Sequence, residues 1–189
     1  LVPGGVALVD LGPASQRPTA QLGGRAVLVV GGPSGWTAVV GIGLSATPGK
    51  LELIVEIPGA APAAKTTKTI TIGKADYAVQ KLKVKPGQVN LSKENLARYE
   101  REREHLGKVT ATLTPEQPAE LRLKQPVPGP RSSSFGLKRI FNGQARNPHS
   151  GMDIAAPAGT PVVSAGAGEV IDTGDDFFLR DGGFGFLDF

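Results

Sequence analysis

Short apolar runs that end near glycine or proline dominate residues 1–88 and constrain the fold more than any other feature. The runs are Val6–Leu11, Arg25–Val30, Trp36–Ile42, Leu51–Ile57, Thr67–Ile72 and Tyr77–Val84. About six short strands with a turn roughly every 8–12 residues are typical of a β-sandwich. We therefore predict a mainly β chain that begins with a β-sandwich-like domain. This region contains no His and no cluster of carboxylates, so it is a poor candidate for an enzyme site.

The character of the chain changes at residues 92–106, which are rich in strong helix formers. Ser92 is suited to cap the start of a helix, Glu94 favours its first turn, and Gly107 is suited to follow its end. The few apolar residues form only a thin stripe, so we predict a solvated helix that lies against one domain or links two. We interpret His105, in the last turn, as a surface residue favoured by the helix dipole rather than as a metal ligand.

A turn-rich linker at residues 125–134 is the best candidate for a domain boundary, since it contains three Pro, one Gly and three Ser. Before it, Val109–Leu113 and Glu120–Lys124 have the composition of strands. We predict an N-terminal β-rich domain over residues 1–125, which includes the helix, and a second domain over residues 126–189.

The positive charge of the chain is mild and spread out, because 21 Lys and Arg against 17 Asp and Glu give a formal charge of +4. A nucleic-acid surface needs a denser basic patch with aromatic residues, and aromatic residues make up only 5% of the chain. We therefore expect no nucleic-acid partner, although a basic protein suits attraction to an anionic polymer such as a bacterial envelope. No apolar run of about 18 residues occurs, so the sequence predicts no transmembrane segment.

Both ends of the sequence are unusual. It begins at Leu1 without a signal-peptide pattern, which suggests a removed signal or a fragment. It ends on the apolar run Phe184–Phe189, where a surface tail is normally polar. We therefore expect a chain that is truncated or altered at its C-terminus.

The sequence has no Cys and only two His, which excludes a disulfide framework, a Cys-ligated zinc site, an iron–sulfur cluster and a thiol nucleophile. The second His, His149, precedes Asp153 by four residues, and Pro148 and Gly151 exclude a regular helix around the pair. A turn there can bring imidazole and carboxylate to one point, and both are competent zinc ligands. A catalytic zinc is held by three protein ligands and a water, so His149 and Asp153 would be two of the three protein ligands. The alternative is a pair of ordinary polar loop residues.

A longer string around this pair, residues 141–174, resembles the lysostaphin/LytM-type zinc metallopeptidases, which cleave peptide cross-bridges in bacterial peptidoglycan. The family's signature is a His, three residues and an Asp, followed by an Ala-Pro-x-Gly-Thr-Pro-Val turn and a Gly-x-Val strand. The matching residues are His149, Asp153, Ala156–Val162 and Gly168–Val170. The strand-rich start also looks like the β-rich domain that precedes some Gram-negative members. The resemblance therefore implies that residues 126–189 are part of a LytM-type β-sheet peptidase domain.

The resemblance also implies chemical roles. His149 and Asp153 match the first two zinc ligands, and a later His-x-His motif of the family supplies the third. The other His of that motif, with one more His, polarises the attacking water and stabilises the oxyanion. The implied cofactor is Zn²⁺, the implied partner is a peptidoglycan peptide, and the implied location is the periplasm or the outside of a bacterial cell. The oligomeric state stays open.

The end of this sequence departs from the family pattern. No His follows His149, so the His-x-His motif is absent, and Gly182 stands where a catalytic His is expected. We therefore expect no catalytic residue in this chain and weak zinc binding. Three hypotheses stay open. The chain is an incomplete cell-wall zinc endopeptidase that is inactive as it stands, a non-catalytic envelope module that binds peptidoglycan or regulates another wall hydrolase, or an envelope β-sandwich adhesin.

Overall fold

A computed structural model describes residues 1–59, 64–84, 92–112 and 114–174 of the chain. The chain is mainly β, as the sequence predicts. Its internal contacts divide it into two units, Leu1–Asp76 and Tyr77–Phe189.

Six antiparallel strands form one sheet in the first unit. They are β1 (Val6–Gly12), β2 (Thr19–Leu22), β3 (Arg25–Gly32), β4 (Gly35–Gly41), β5 (Gly49–Ile57) and β6 (Ala64–Ile72). The order across the sheet is β1-β4-β3-β2-β5-β6. Beyond the two edge strands, the N–H of Gly73 donates to the carbonyl of Leu1 at 2.8 Å. The β-rich N-terminal domain is thus confirmed, but its strands form one sheet that curls until its edges meet, instead of two packed sheets.

The core of the first unit lies on one face of this sheet. In β5 the side chains of Leu53 and Val55 are buried, whereas the side chains of Glu52 and Glu56, which lie next to them in the sequence, are exposed. This alternation arises because every second residue of a strand points to the same face. Trp36 of β4 joins the core, and its Nε1 donates to the carbonyl of Ala14 at 2.9 Å. The polar atom of the buried indole is therefore satisfied.

The described part of the second unit contains one helix and several short strands. They are β7 (Val79–Leu82), α1 (Lys93–Val109), β8 (Arg131–Ser133), β9 (Lys138–Phe141), β10 (Gln144–Ala145) and β11 (Asp153–Ile154). β7 pairs in parallel with β9, which pairs antiparallel with β10. β11 pairs antiparallel with β8. These two small sheets hold the residues of the candidate site.

The contacts divide the chain at residues 76 and 77, earlier than the predicted boundary at residues 125 and 126. The reason is the pairing of β7 with β9, which joins a segment expected in the N-terminal domain to the second unit. The prediction that residues 1–125 and 126–189 form separate domains is not tested by these contacts and stays a prediction.

Helix α1 agrees with its predicted start and differs at its predicted end. The Ser92 Oγ accepts from the N–H of Asn95 at 3.2 Å, which confirms Ser92 as the N-cap. The assignment of Gly107 to the position after the helix is wrong, because the helix continues to Val109 and is capped by Thr110. No residue of α1 is buried, as expected for a solvated helix. Among the described residues, no helix is long and apolar enough to cross a membrane.

Two strands predicted after the helix are not present. Val109 ends α1 instead of starting a strand, and residues 120–124 form no strand. Among the described residues, the chain near residue 124 makes isolated backbone bonds, from Lys124 to the Ala165 carbonyl and from Val163 to the Pro126 carbonyl. Pro126, like the prolines that follow it, has no N–H, so the ladder is not extended here. Leu113 lies outside the described residues.

The exposed face of α1 provides a test by pH titration. A hydrogen bond from Lys108, together with its positive charge, lowers the pKa of Glu104 below its ordinary value. Because the pKa is lowered in the folded state, this contact stabilises the helix above the ordinary glutamate pKa and is lost as the pH falls through that of Glu104. We expect an NMR titration of the Glu104 carboxyl to show a low midpoint that rises in Lys108→Met. A midpoint unaffected by the substitution would show that the pair does not form in solution.

Candidate metal centre

The backbone of His149 is held by the turn that connects β8 and β9. Its N–H donates to the carbonyl of Leu137 at 3.0 Å, and its carbonyl accepts from the N–H of Gly136 at 2.7 Å. Gly136 has a φ of +80°, and a Cβ atom there would lie 2.1 Å from the ring of Tyr77. Only glycine fits this position without movement of its neighbours. The loop that carries His149 is therefore fixed by a turn whose conformation requires glycine.

The structure brings His149 and Asp153 together. Asp153 lies in β11, directly opposite Ser133 of β8. The His149 Nε2 and the Asp153 Oδ1 are 3.1 Å apart, and the two side chains are only 6% and 2% exposed. The sequence predicted that a turn could bring the two side chains together. In the structure they are in contact, and both the imidazole and the carboxylate are buried.

The other ring nitrogen of His149 faces two oxygen atoms of β8 and the turn after it. The Nδ1 lies 3.1 Å from the carbonyl oxygen of Ser134 and 3.2 Å from the Oγ of Ser133. A carbonyl oxygen can only accept, so a proton on Nδ1 is donated there. The Nδ1 is therefore engaged on the side of β8, and the Nε2 faces the Asp153 carboxylate.

Arg139 of β9 completes the surroundings of the pair. One of its guanidinium nitrogens, Nη2, donates to the Ser133 Oγ at 2.8 Å and lies 3.5 Å from the Asp153 Oδ2. Thus one oxygen of the carboxylate faces imidazole and the other faces guanidinium. Within the described part of the chain, no buried side-chain nitrogen or oxygen lacks a hydrogen-bond partner.

The other His of the sequence also contacts an aspartate. The His105 Nε2 lies 2.9 Å from the Asp172 Oδ2, with the side chains 54% and 26% exposed. The interpretation of His105 as a surface residue agrees with this exposure. The pair is useful as an internal reference, because it has the same chemistry as His149 and Asp153 but is open to water.

Comparison with known proteins places this geometry in a family context. Residues 1–68 match the family model of the Peptidase family M23 N-terminal domain. A candidate M23 peptidase from Pseudomonas aeruginosa, known from a crystal structure, is 39% identical and superimposes with a TM-score of 0.71. Residues 1–68 are thus similar to an M23 N-terminal domain, and the chain as a whole is similar in fold to that M23 structure. No curated protein matches it.

The match to the Pseudomonas structure covers 94% of this chain and 64% of that chain. The present sequence thus spans less than two thirds of the length of that relative. The first unit, Leu1–Asp76, contains the residues that match the M23 N-terminal model. The second unit, Tyr77–Phe189, contains the string that resembles the LytM-type peptidases and is called the LytM-type unit below.

The turn that follows the His–Asp pair in the LytM-type unit has the form that its sequence requires. The Thr160 N–H donates to the Pro157 carbonyl at 3.1 Å, and Gly159 has a φ of +81°. Such a φ at the third residue is the requirement of a type II turn. The structural role expected for this Pro- and Gly-rich string is confirmed. Residues 168–170, expected as a strand, form none, and Gly182 lies outside the described residues.

Zinc is a chemical test of the site. With tetrahedral geometry and metal–ligand bonds of about 2.0–2.2 Å, two ligand atoms lie roughly 3.3–3.6 Å apart. The 3.1 Å between the His149 Nε2 and the Asp153 Oδ1 is slightly shorter than that spacing, so the pair fits one edge of a zinc site after a small separation of the two atoms. The described residues contain no group of three or more His, Cys, Asp or Glu that could hold a metal. The roles of His149 and Asp153 as zinc ligands stay a prediction.

Two side chains of the network, and the aspartate that contacts His105, were not predicted from the sequence. Ser133 and Arg139 act through a cross-strand pair and a neighbouring strand, and no motif points to either. Asp172 lies 67 residues from its partner His105. One signal was available for Arg139, since a cation near a buried carboxylate is expected. Choosing this cation among 21 Lys and Arg requires the fold.

Proposed function

We propose that this chain belongs to a zinc endopeptidase of the cell-wall type and carries two of the ligands, while being inactive as it stands. The family resemblance supports a peptidase-like, LytM-type module. The observation that supports the finer proposal is the meeting of the His149 Nε2 and the Asp153 Oδ1 at 3.1 Å in a buried position. A nitrogen and an oxygen donor that converge on one point are a ligand set that zinc accepts.

Each ligand has a defined atom for this role. His149 would hold the metal through Nε2, because its Nδ1 faces the Ser134 carbonyl. Asp153 would use Oδ1, because Oδ2 faces Arg139. When bound with an open position, zinc polarises a peptide carbonyl and makes water acidic enough to attack near neutral pH.

Inactivity follows from the residues that this chain offers. A catalytic zinc takes three protein ligands, and His149 and Asp153 supply two. The sequence has no Cys and one other His, which contacts Asp172. No imidazole is left to act as a general base or to donate to an oxyanion. The proposed substrate, a peptidoglycan peptide, and the proposed location in the bacterial envelope rest on the family resemblance and on the basic charge of the chain.

A direct assay tests this proposal. The full chain is incubated with purified peptidoglycan and Zn²⁺, and the release of free amino groups from cross-bridges is followed. We expect no release above that of the His149→Ala variant, because the described site offers two ligands and no base. Release that depends on His149 would show that the chain is active and that a further ligand completes the site.

A non-catalytic role is the second candidate, and one observation favours it. Arg139 faces the Asp153 carboxylate and every described buried polar side-chain atom has a partner, so the fold does not need a metal. A module that binds peptidoglycan or regulates another hydrolase would have this property. Co-sedimentation with peptidoglycan that is equal in the wild type and His149→Ala would favour this role. Co-sedimentation that requires both Zn²⁺ and His149 would favour the peptidase site.

A further inference from the structure

We infer that Arg139 and Ser133 are positioning residues that set the donor atoms of His149 and Asp153 before any metal binds. The inference rests on the proposed function, in which this pair is part of a zinc site. Both residues lie outside the sequence motif that the pair belongs to. The contacts of Arg139 and Ser133 orient the side chains of His149 and Asp153, and the sequence motif does not include these two residues.

The first step concerns the carboxylate. The Asp153 side chain is 2% exposed, and the guanidinium Nη2 of Arg139 is 3.5 Å from its Oδ2. A guanidinium group is planar and its donors have fixed directions, so it holds a carboxylate in one rotational state. Because Oδ2 is engaged, Oδ1 is the oxygen presented to the His149 Nε2 at 3.1 Å. Arg139 therefore favours coordination of a metal by one oxygen of Asp153, the Oδ1.

The second step concerns the imidazole. The same Nη2 donates to the Ser133 Oγ at 2.8 Å, and that oxygen lies 3.2 Å from the His149 Nδ1. Ser133 also pairs with Asp153 across β8 and β11. Arg139 thus contacts both ligands, one directly and the other through a hydroxyl held at the correct strand position. Partners of this kind fix the orientation and tautomer of a metal-binding His.

The third step concerns charge. Arg139 supplies a positive charge beside a buried carboxylate, so the carboxylate is compensated in the metal-free fold. The ligand pair can therefore keep its geometry without a metal. We expect the donor atoms to be in place when Zn²⁺ arrives, which removes part of the cost of ordering them.

Zinc affinity of the full chain tests the inference. The dissociation constant for Zn²⁺ alone is measured by competition with a chelating dye for the wild type, Arg139→Gln, Ser133→Ala and the double variant. We expect each single variant to bind about 10–100-fold more weakly. The double variant is expected to be little worse than the weaker single variant, because both act through one network. Lys138→Gln is the control, since it removes the same charge from the adjacent exposed residue of β9.

Two further readouts separate positioning from a general effect on folding. Long-range ¹H–¹⁵N NMR of the metal-free protein is expected to show one sharp set of His149 ring signals in the wild type and broadened signals in Ser133→Ala, where the Ser134 carbonyl alone orients the ring. Arg139→Lys keeps the charge but not the planar fork, so it is expected to recover only part of the zinc affinity. Full recovery by Arg139→Lys would overturn the positioning role. If Arg139→Gln does not fold, Ser133→Ala decides, because it leaves the carboxylate compensated.

The controls distinguish two ways of failing. If His149→Ala binds Zn²⁺ as well as the wild type, the proposed zinc site itself is refuted. If His149→Ala loses binding while Arg139→Gln and Ser133→Ala stay within about twofold of the wild type, the positioning inference alone is refuted.

Discussion

Asp153→Ala is expected to lower the free energy of unfolding of the LytM-type unit by about 2–4 kcal/mol, because it leaves a buried partner uncompensated. The Asp153 carboxylate is 2% exposed and lies between the His149 Nε2 and the Arg139 guanidinium. Its removal takes away both carboxylate oxygens and leaves the Ser133 Oγ as a link between these two side chains. Native-state hydrogen exchange at the amides of β8, β9 and β11 measures the effect, since it reports the stability of this unit by itself.

The matched control is Asp172→Ala. This substitution breaks the other His–Asp contact of the same unit, in which the side chains are 54% and 26% exposed. Exposed ion pairs contribute roughly 0–1 kcal/mol, so hydrogen exchange is expected to change little. If Asp153→Ala were as mild as Asp172→Ala, the buried network would contribute no more than a surface pair. That result would remove the physical basis of a preformed site.

Leu53→Ala is expected to destabilise the first unit by about 2–5 kcal/mol, the range for removing a large buried side chain. Leu53 lies in the middle of β5, which is paired on both sides with β2 and β6, and it has 0% exposure. The alanine would leave a cavity that β-strands on both sides cannot fill without breaking their register. Urea unfolding followed by the fluorescence of Trp36 measures this unit, because Trp36 is the single Trp of the chain and lies in the same core.

Leu8→Ala is the control for this prediction. It makes the same chemical change in β1, where the side chain is 67% exposed. Substitutions at such positions usually change stability by no more than about 0.5 kcal/mol. Equal losses in the two variants would mean that the core does not lie on the face that contains Leu53.

Local signals in the sequence predicted much of the fold, and long-range pairing accounts for the rest. The alternation of apolar and polar residues and the turns at Gly or Pro predicted the strands of the first unit. Ser92, as a capping residue, predicted the start of α1. The end of α1 was missed because Gly107 can adopt helical backbone as well as it can end a helix. A strand at residues 120–124 requires a neighbouring strand with a continuous ladder of hydrogen bonds. In the described structure, the neighbouring segment around Val163 and Ala165 makes isolated hydrogen bonds with this part of the chain. The single curled sheet depends on how β2 bridges β3 and β5.

The candidate site divides in the same way. The spacing of His149 and Asp153 and the surrounding string were visible in the sequence. The roles of Ser133 and Arg139 were not, because they depend on which residue of β8 faces β11 and on the direction of a side chain from β9. Sequence patterns therefore identified the candidate ligand pair, whereas the groups that contact this pair required the pairing of the strands.

Zinc titration of the full chain, with His149→Ala, Asp153→Ala and His105→Ala, decides whether His149 and Asp153 hold the metal. We expect a dissociation constant weaker than about 1 µM, because two ligands fall short of the usual three or four. We also expect that binding is lost in His149→Ala and Asp153→Ala and is unchanged in His105→Ala. Binding that is tighter than about 1 µM would contradict the two-ligand count, and binding that survives loss of His149 and Asp153 would contradict the site.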